Sequence, residues 1–483
     1  MITGINDFKN VFFIGVAGVG MSAIAQYLAG IEKNVSGSDR YFVKGEFNET
    51  KTKLEAEGIK CFLQNGDGIT KETDLVVAST AIEDTVFEVQ KAKELNIPII
   101  KRSELLALIA KSKRTIAVGG TSGKSTTSAM LFDILEQAGM QPSIISGAGL
   151  VSIIKEGKIG NAKVGAGDPM AIGWLVIEAD ESDGSIVHYH PEIGLLLNVD
   201  KDHQEIDELM SIFTVFKNNS KKFIVNHSNV LAKQLSQDIK NDFATDQNSG
   251  AGYIAKNFKQ EGFSIEFSVQ KSEVRSKKSE DTSQTSDLRL QTSVFMTTIG
   301  KHNMENALAA TAVANSLGVD LETCAAALKK YEGIYRRNQV LGNKNGVWVI
   351  DDYAHNPVKC AAAIAACQPV AQKVIAWFQP HGYGPTRFLR NDFVKEIAAV
   401  LRPQDEIWMS EIFYAGGTAV KDISANDLIS DIKALGKNAF FVEDRNLFLN
   451  TVRPHLTADS VLLLMGARDP GLEAFSKSVF QSL

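Results

Sequence analysis

The stretch Thr115-Ile116-Ala117-Val118-Gly119-Gly120-Thr121-Ser122-Gly123-Lys124-Ser125-Thr126 runs from a β-branched strand through a glycine loop into a helical pattern. Strand, glycine loop and helix in that order predict the phosphate-cradling turn of a parallel α/β sheet. Gly120, Thr121, Ser122 and Gly123 leave backbone amides to wrap phosphates, and the helix N-terminus adds partial positive charge. Lys124 would reach the outer phosphates, and the Ser125 or Thr126 hydroxyl would ligate Mg²⁺. Val118 stands where the standard spacing has a glycine, so the loop is a shortened variant. A bound nucleoside triphosphate is the expectation.

Further apolar strands of the same unit are predicted at Trp174–Ile177, Ile193–Leu197 and Lys222–Val225. The first runs into Glu178-Ala179-Asp180-Glu181-Ser182-Asp183. Four carboxylates in six residues repel one another unless a cation or amide donors hold them. Beside a phosphate loop they read as a Mg²⁺ site, joined by Asp202-His203 after the strand ending near Val199. In His302-Asn303-Met304-Glu305-Asn306, at a predicted helix start, the Asn303 and Asn306 amides lie one turn apart. They suit an adenine or ribose edge, or Asn303 is a helix cap. Gln270–Leu288 is Ser/Lys/Asp/Thr-rich and reads as a mobile surface excursion.

On the N-terminal side, strand Val11–Ile14 leads into Gly15-Val16-Ala17-Gly18-Val19-Gly20 and a helix with Met21, Ile24, Ala25 and Leu28 on one face. Asp39 ends the next strand at about the spacing of a dinucleotide fingerprint. A diphosphate on the helix end and a ribose hydroxyl on Asp39 fit NAD, FAD or a nucleotide sugar alike. Later strands at Leu75–Ser79 and Pro98–Ile100 complete the unit, and Lys111-Ser112-Lys113-Arg114 is a basic connector. On the C-terminal side, Arg336-Arg337 marks a second junction, with an arginine able to reach a transferred phosphate. Strands follow at Val347–Ile350, Val374–Phe378, Glu406–Met409 and Val461–Met465. Asp351-Asp352-Tyr353-Ala354-His355-Asn356-Pro357 sits where the crevice of such a sheet opens.

The chain of 483 residues has room for two to four domains. The predicted division is 1–111, 112–335 and 336–483, three α/β domains: Rossmann-like, P-loop ATPase-like and again Rossmann-like. Lys+Arg of 51 against Asp+Glu of 57 gives a net charge of −6, which argues against a nucleic-acid partner. An apolar share of 44% excludes global disorder. No apolar run approaches the roughly 20 residues of a membrane span, and no secretory leader is visible. Cys61, Cys324, Cys360 and Cys367 have no CxxC spacing, against a disulfide framework or thiolate zinc site. A cytoplasmic location is expected.

In their order along nearly the whole chain, these motifs resemble the Mur ligases, the ATP-dependent amide-forming enzymes of peptidoglycan synthesis, cell-wall biogenesis, cell shape and cell division. GVAGVGMSAIA, TSGKST, EADESD, the Asp202-His203 pair, HNMENALAA, GIYRRNQ, DDYAHNP, FQPH and MGARD carry the resemblance. It implies that ATP activates the carboxylate of a UDP-N-acetylmuramate-type nucleotide sugar as an acyl phosphate, which an amino acid (L-alanine favoured) or a short peptide then attacks. By this resemblance Lys124, Glu178, His203, Arg337 and His355 are catalytic, and Ser125, Thr126, Glu178 and His203 hold Mg²⁺. Gly120–Thr126, Asn303, Asn306, Arg337 and Asp352 hold ATP, over which the third domain closes. Gly15, Ala17, Gly18, Gly20, Ser38, Asp39 and Ser79 hold the UDP-sugar. Tyr353, His355, His381 and Arg387 meet the amine. Two departures stand out: Gly382 and Pro385 occupy positions where a family segment HRYTRTR has arginines, and Ser122 replaces a histidine. Arg468-Asp469-Pro470 also departs from a glycine-rich ending. The alternatives are a murein peptide ligase or paralogue, an NAD(P)-dependent oxidoreductase, and a non-catalytic nucleotide-binding protein.

Overall fold

A computed structural model describes residues 2–79, 82, 84–167, 172–182, 184–200, 205–272, 289–414, 416 and 419–483. The chain divides into two compact units. One comprises Met1–Phe258, Glu266–Met296 and His302–Gly333; the other comprises Lys259–Ile265, Thr297–Lys301 and Ile334–Leu483.

The first unit opens with strands β1 (Asn10–Ile14), β2 (Asn34–Ser38), β3 (Lys60–Phe62), β4 (Leu75–Ala78) and β5 (Ile99–Lys101), in the order β3-β2-β1-β4-β5. All pairings are parallel. Such a strand is covered on both faces, which is why β1 reads as an unbroken Val-Phe-Phe-Ile run, all four buried. The helix Val19–Gly30 is buried at every position from Met21 to Leu28, where one apolar face was expected. Its outer side is covered by the next segment of the same unit. Gln26 donates to Asn161 Oδ1 at 2.6 Å, and a Cβ on Gly30 would lie 2.6 Å from Val164.

The next sheet has β6 (Arg114–Gly119), β7 (Ser143–Ile145), β8 (Ala162–Lys163), β9 (Trp174–Glu178), β10 (Ile193–Leu196) and β11 (Lys222–Val225), ordered β11-β10-β6-β9-β7-β8. Only β7 and β8 pair antiparallel. One apolar cluster runs from Val11 and Phe13 through Leu175 and Ile177 to Phe216 and Phe223. Each such side chain stabilises the unit by about 1.5–3 kcal/mol, so the two sheets share one core.

A four-stranded sheet follows that the sequence reading did not anticipate: β12 (Phe243–Ala244), β13 (Tyr253–Glu261), β14 (Ser264–Ser272) and β15 (Arg289–Met296). Gln270 to Ser272, expected in a mobile excursion, end β14, and Gln270 is buried; the rest of that excursion, 273–288, lies outside the described residues. Ile265, Phe267 and Val269 alternate inward along β14, a period-two signal that the polar composition of the following residues obscured. The helix after this sheet spans Lys301–Ser316, so Asn303 lies in its first turn and does not cap it.

The second unit is built on β16 (Gln339–Lys344), β17 (Val347–Asp352), β18 (Lys373–Gln379), β19 (Glu406–Met409), β20 (Asn438–Phe441) and β21 (Ser460–Gly466), ordered β16-β17-β21-β18-β19-β20. Every pair but β16–β17 is parallel. Ile350, Val374 and Ala376 face one helical layer with Ile364, Phe393 and Ile397; Val349, Ile375 and Trp377 face the other with Phe448, Leu472 and Val479. This is the doubly wound arrangement expected.

Candidate active site

In a parallel sheet, ligands gather beyond the carboxyl ends of the strands, where neighbouring strands connect in opposite directions. β6 is such a place, flanked by β9 and β10. Its loop turns on Gly123, whose φ of +89° is open to a residue without a Cβ and which starts the helix Lys124–Gln137. A Cβ there would stand 2.5 Å from Asn306 Oδ1, so the glycine also admits that amide. Asn306 accepts from Thr127 Oγ1 at 3.2 Å, and both Asn303 and Asn306 are buried.

Asn198, just past β10, fixes the loop. Its Oδ1 accepts from Thr121 Oγ1 and from the Ser122 amide, both at 2.8 Å, and its Nδ2 donates to the Ser122 carbonyl at 3.0 Å. The Lys124 ammonium donates to the Gly120 carbonyl at 2.7 Å and to Glu181 Oε2 at 2.8 Å, with Asp180 4.0 Å away. Burial pushes the Glu181 carboxyl up despite Lys124. Burial also pushes Asp180 up, but Lys124, the Ser182 donors and Arg102 outweigh it and hold Asp180 below its ordinary value. Glu178 accepts from Ser125 Oγ at 2.9 Å, Ser146 Oγ at 2.7 Å and the Gly147 amide at 2.6 Å. The loop TSGKST and the acidic residues Glu178, Asp180 and Glu181 therefore share one site, with Thr126 in the same first helical turn, while Asp183 lies outside the described residues. His203 lies outside the described residues. Asn198 and Ser146 were not singled out from the sequence, where Glu181 was read as one of the four carboxylates of the acidic turn; the one available signal for Asn198 and Ser146 was their place just beyond strand ends.

The first sheet has the same design. Ile14 pairs with Ser38 on one side and Ala78 on the other, so Gly15, Asp39 and Ser79 leave the sheet side by side. The Ser38 carbonyl accepts from the Gly15 and Val16 amides, at 2.8 and 3.0 Å. Asp39 is buried and accepts from the Ala17 amide at 2.9 Å and the Tyr41 amide at 3.0 Å, so its carboxylate shapes the loop. Gly18 donates to the Gly15 carbonyl, and Gly20 leaves room for Arg102, 3.1 Å from where a Cβ would be.

In the second unit, Asp352 accepts from the Asn338 and Ala354 amides, at 2.5 and 2.7 Å. Burial raises its pKa, with the Arg337 charge opposing. Arg336 holds Asp351 through Nε at 3.0–3.1 Å and the Gly466 carbonyl at 3.0 Å. Arg337 lies over the Tyr353 ring, 5.4 Å from its centroid. Tyr353, His355 and His381 form a chain of rings with centroids 5.7 and 5.8 Å apart. Burial lowers the His355 pKa to about 4. Arg387 stands apart from that chain's hydrogen bonds: it is engaged by the Asp422 carboxylate and donates to the Val420 carbonyl at 3.1 Å.

Three matches divide the chain: the Mur ligase family catalytic domain over residues 10–114, the Mur ligase middle domain over 118–314, and the Mur ligase glutamate ligase domain over 336–468. The UDP-N-acetylmuramate–L-alanine ligase of Carboxydothermus hydrogenoformans is 32% identical, covering 95% of this chain and 93% of the relative. That of Mesorhizobium japonicum is 31% identical over 95% and 94%. Among solved structures, the UDP-N-acetylmuramate–alanine ligase of Thermotoga maritima has the same fold, with a TM-score of 0.77 at 24% identity over 98% of both chains. A murein peptide ligase of Psychrobacter arcticus gives 0.64 at 20% identity over 98% of both. With its three parts matched in order, and relatives nearly a third identical along almost its whole length, this chain belongs to the Mur ligase family.

Proposed function

We propose that the protein is an ATP-dependent ligase that joins the carboxylate of a UDP-N-acetylmuramate-type nucleotide sugar to the amine of L-alanine, in the cytoplasm, for peptidoglycan synthesis. The observation that carries this reading is the direct contact of the TSGKST loop with the EADESD turn, Lys124 to Glu181 and Ser125 to Glu178. The names of the relatives support the substrates. In this reading residues 1–111 hold the UDP-sugar on the Gly15–Gly20 loop with Ser38, Asp39 and Ser79. Residues 112–335 hold ATP with Gly120–Thr126, Asn303 and Asn306. Residues 336–483 contribute Arg337 and Asp352 toward the nucleotide and Tyr353, His355, His381 and Arg387 toward the amine.

Ser125, Thr126 and Glu178 are hard oxygen donors at a helix N-terminus, the donor set that suits Mg²⁺, and Glu178 already accepts three hydrogen bonds that orient it. His203 is proposed with them. The ion, when bound, would screen the negative charge of phosphates and carboxylate from each other. Lys124 would leave Glu181 for the outer phosphates and stabilise the charge that moves as the terminal phosphoryl passes to the substrate carboxylate. ADP is left behind, the amine attacks the acyl phosphate carbon, and inorganic phosphate leaves with the C–O bond electrons and takes up the surplus proton of the nitrogen as the amide forms.

A peptide amine is the second reading, favoured by the segment after His381: Gly382 and Pro385 bring no guanidinium there, and Arg387 is engaged by Asp422. Phosphate release across UDP-muramyl acids crossed with single amino acids and a tripeptide tests both. Turnover that needs an acid and L-alanine together is expected; turnover with the tripeptide alone selects the second reading, and ATP hydrolysis indifferent to both compounds rejects the ligase.

A further inference from the structure

Three parallel strands of the second unit end side by side, with Asp352 of β17 paired to Met465 of β21 and Gln379 of β18 paired to Gly466 of β21. The chain then leaves β18 as Pro380-His381 and β21 as Ala467-Arg468. His381 and Arg468 are thus each two residues beyond the same register pair, with Tyr353 and His355 departing from β17 on the other side of β21. Arg468 is exposed and has a φ of +65°, a left-handed conformation that a residue carrying a Cβ adopts at a cost. Such strain is kept where the surroundings or the function require that side chain to point one way.

The cations at this end of the sheet divide sharply. Arg336 is held by Asp351, Arg387 by Asp422, and Arg445 by Asp469 and Gln379. Lys421 lies over the Tyr383 and Tyr414 rings. Among the described residues, no carboxylate pairs with Arg468; its neighbour Asp469 is taken by Arg445. On the neighbouring strand end, His381 has a buried Nδ1 with no hydrogen-bond partner, and the Arg468 charge adds to burial in lowering the pKa of that ring. A guanidinium without a carboxylate partner and an imidazole edge without an acceptor thus lie at the same end of neighbouring strands. The missing element common to both is an anion with two oxygens.

We propose that Arg468, with the Nδ1–H edge of His381, binds the carboxylate of the amine-bearing substrate and so sets which amines the protein accepts. A planar guanidinium matches a carboxylate with two parallel N–H···O bonds, which glycine at 382 and proline at 385 cannot supply. The inference rests on the ligase reading above, in taking the anion to be the carboxylate of the amine.

The test compares the full-length protein with Arg468→Gly and Arg468→Lys, using the amino acid that supports wild-type turnover and the same compound with its carboxylate amidated. Arg468→Gly is expected to raise KM for the amino acid roughly 10- to 100-fold, the effect of losing a charged hydrogen-bond pair. KM for ATP should stay within about twofold, and discrimination against the amide should vanish. Arg468→Lys should recover part of the affinity. An unchanged KM for the amino acid, or an equal rise for the amide, overturns the proposal. A rise confined to KM for ATP also overturns it, because the anion would then be a phosphate. If no amine supports turnover in the wild type, the ligase reading fails on its own, and the pocket is judged by NMR of the His381 imidazole, identified with His381→Gln. A shift on adding L-alanine but not L-alaninamide then supports the carboxylate site, and no shift removes it.

Discussion

At the scale of single residues, Lys124 and Glu181 form a pair with only 16% and 8% of their side chains exposed. Removing one partner of such a pair strands the other charge. Lys124→Ala is expected to lower the rate of ADP formation by about 10²–10³-fold and to destabilise the first unit by about 1–3 kcal/mol. Adding Glu181→Gln should restore the melting temperature without restoring ADP formation, which separates the two roles. Asn198→Ala removes the acceptor shared by the Thr121 hydroxyl and the Ser122 amide; a loss of about 1–2 kcal/mol in denaturant titrations is expected, with a higher KM for ATP. His355 offers a test by pH. Its pKa falls from 6.5 to about 4 on burial, so the unfolded chain binds the extra proton between those values. Stability is therefore full above about pH 6.5 and declines toward pH 4, by up to roughly 3 kcal/mol. Thermal melts of His355→Gln over that range should show a shallower decline than the wild type. Lys124, Ser125 and Glu178 were legible in the sequence because each sits in a motif whose chemistry demands its type. Asn198 and Ser146 were not, because they hold other residues in place and any polar residue past a strand end looks the same in one dimension.

Among the elements, the buried parallel strands announced themselves. β1, β6, β9 and β21 are short apolar runs bounded by glycine or acidic residues, since both their faces are covered. Strands β13 to β15 were invisible because Lys256, Lys259, Glu261 and Glu266 interrupt the apolar pattern. The two-residue strands β8 and β12 leave no periodicity to read. The turn between β6 and its helix is the element most sensitive to a single methyl. Gly123→Ala must adopt a left-handed φ and displace Asn306, and a loss of about 1–2 kcal/mol is expected in melting experiments, together with weaker binding of an ATP analogue by calorimetry.

For the molecule as a whole, three successive α/β parts were legible, because each has near its start an apolar strand followed by a loop and a helix, although β16, which precedes that strand in the third part, was not foreseen. Their grouping in space was not. The first two share one apolar cluster and count as a single unit, although a basic connector separates them in sequence. No pattern of composition marks that two sheets will bury a face against common neighbours. Nor did anything in the sequence assign residues 259–265 and 297–301 to the second unit. Phe263 packs against Trp348 with ring centroids 4.3 Å apart and the planes tilted by 49°, Ile299 joins the apolar layer of Ile350, and Gln260 accepts from the Gly300 amide at 2.9 Å and reaches the Ala366 carbonyl.

That borrowing makes the last lobe a mosaic. The polypeptide changes sides after Phe258, Ile265, Met296, Lys301 and Gly333, so no single cut releases an intact C-terminal piece. A gene fragment beginning at Ile334 would leave the Trp348 ring bare and a hole where Ile299 belongs. Such a piece should be sticky and readily proteolysed, and a synthetic peptide covering 259–301 should rescue it. Recombination that trades third domains among relatives would then succeed only when the donor brings along its distant hairpin as well.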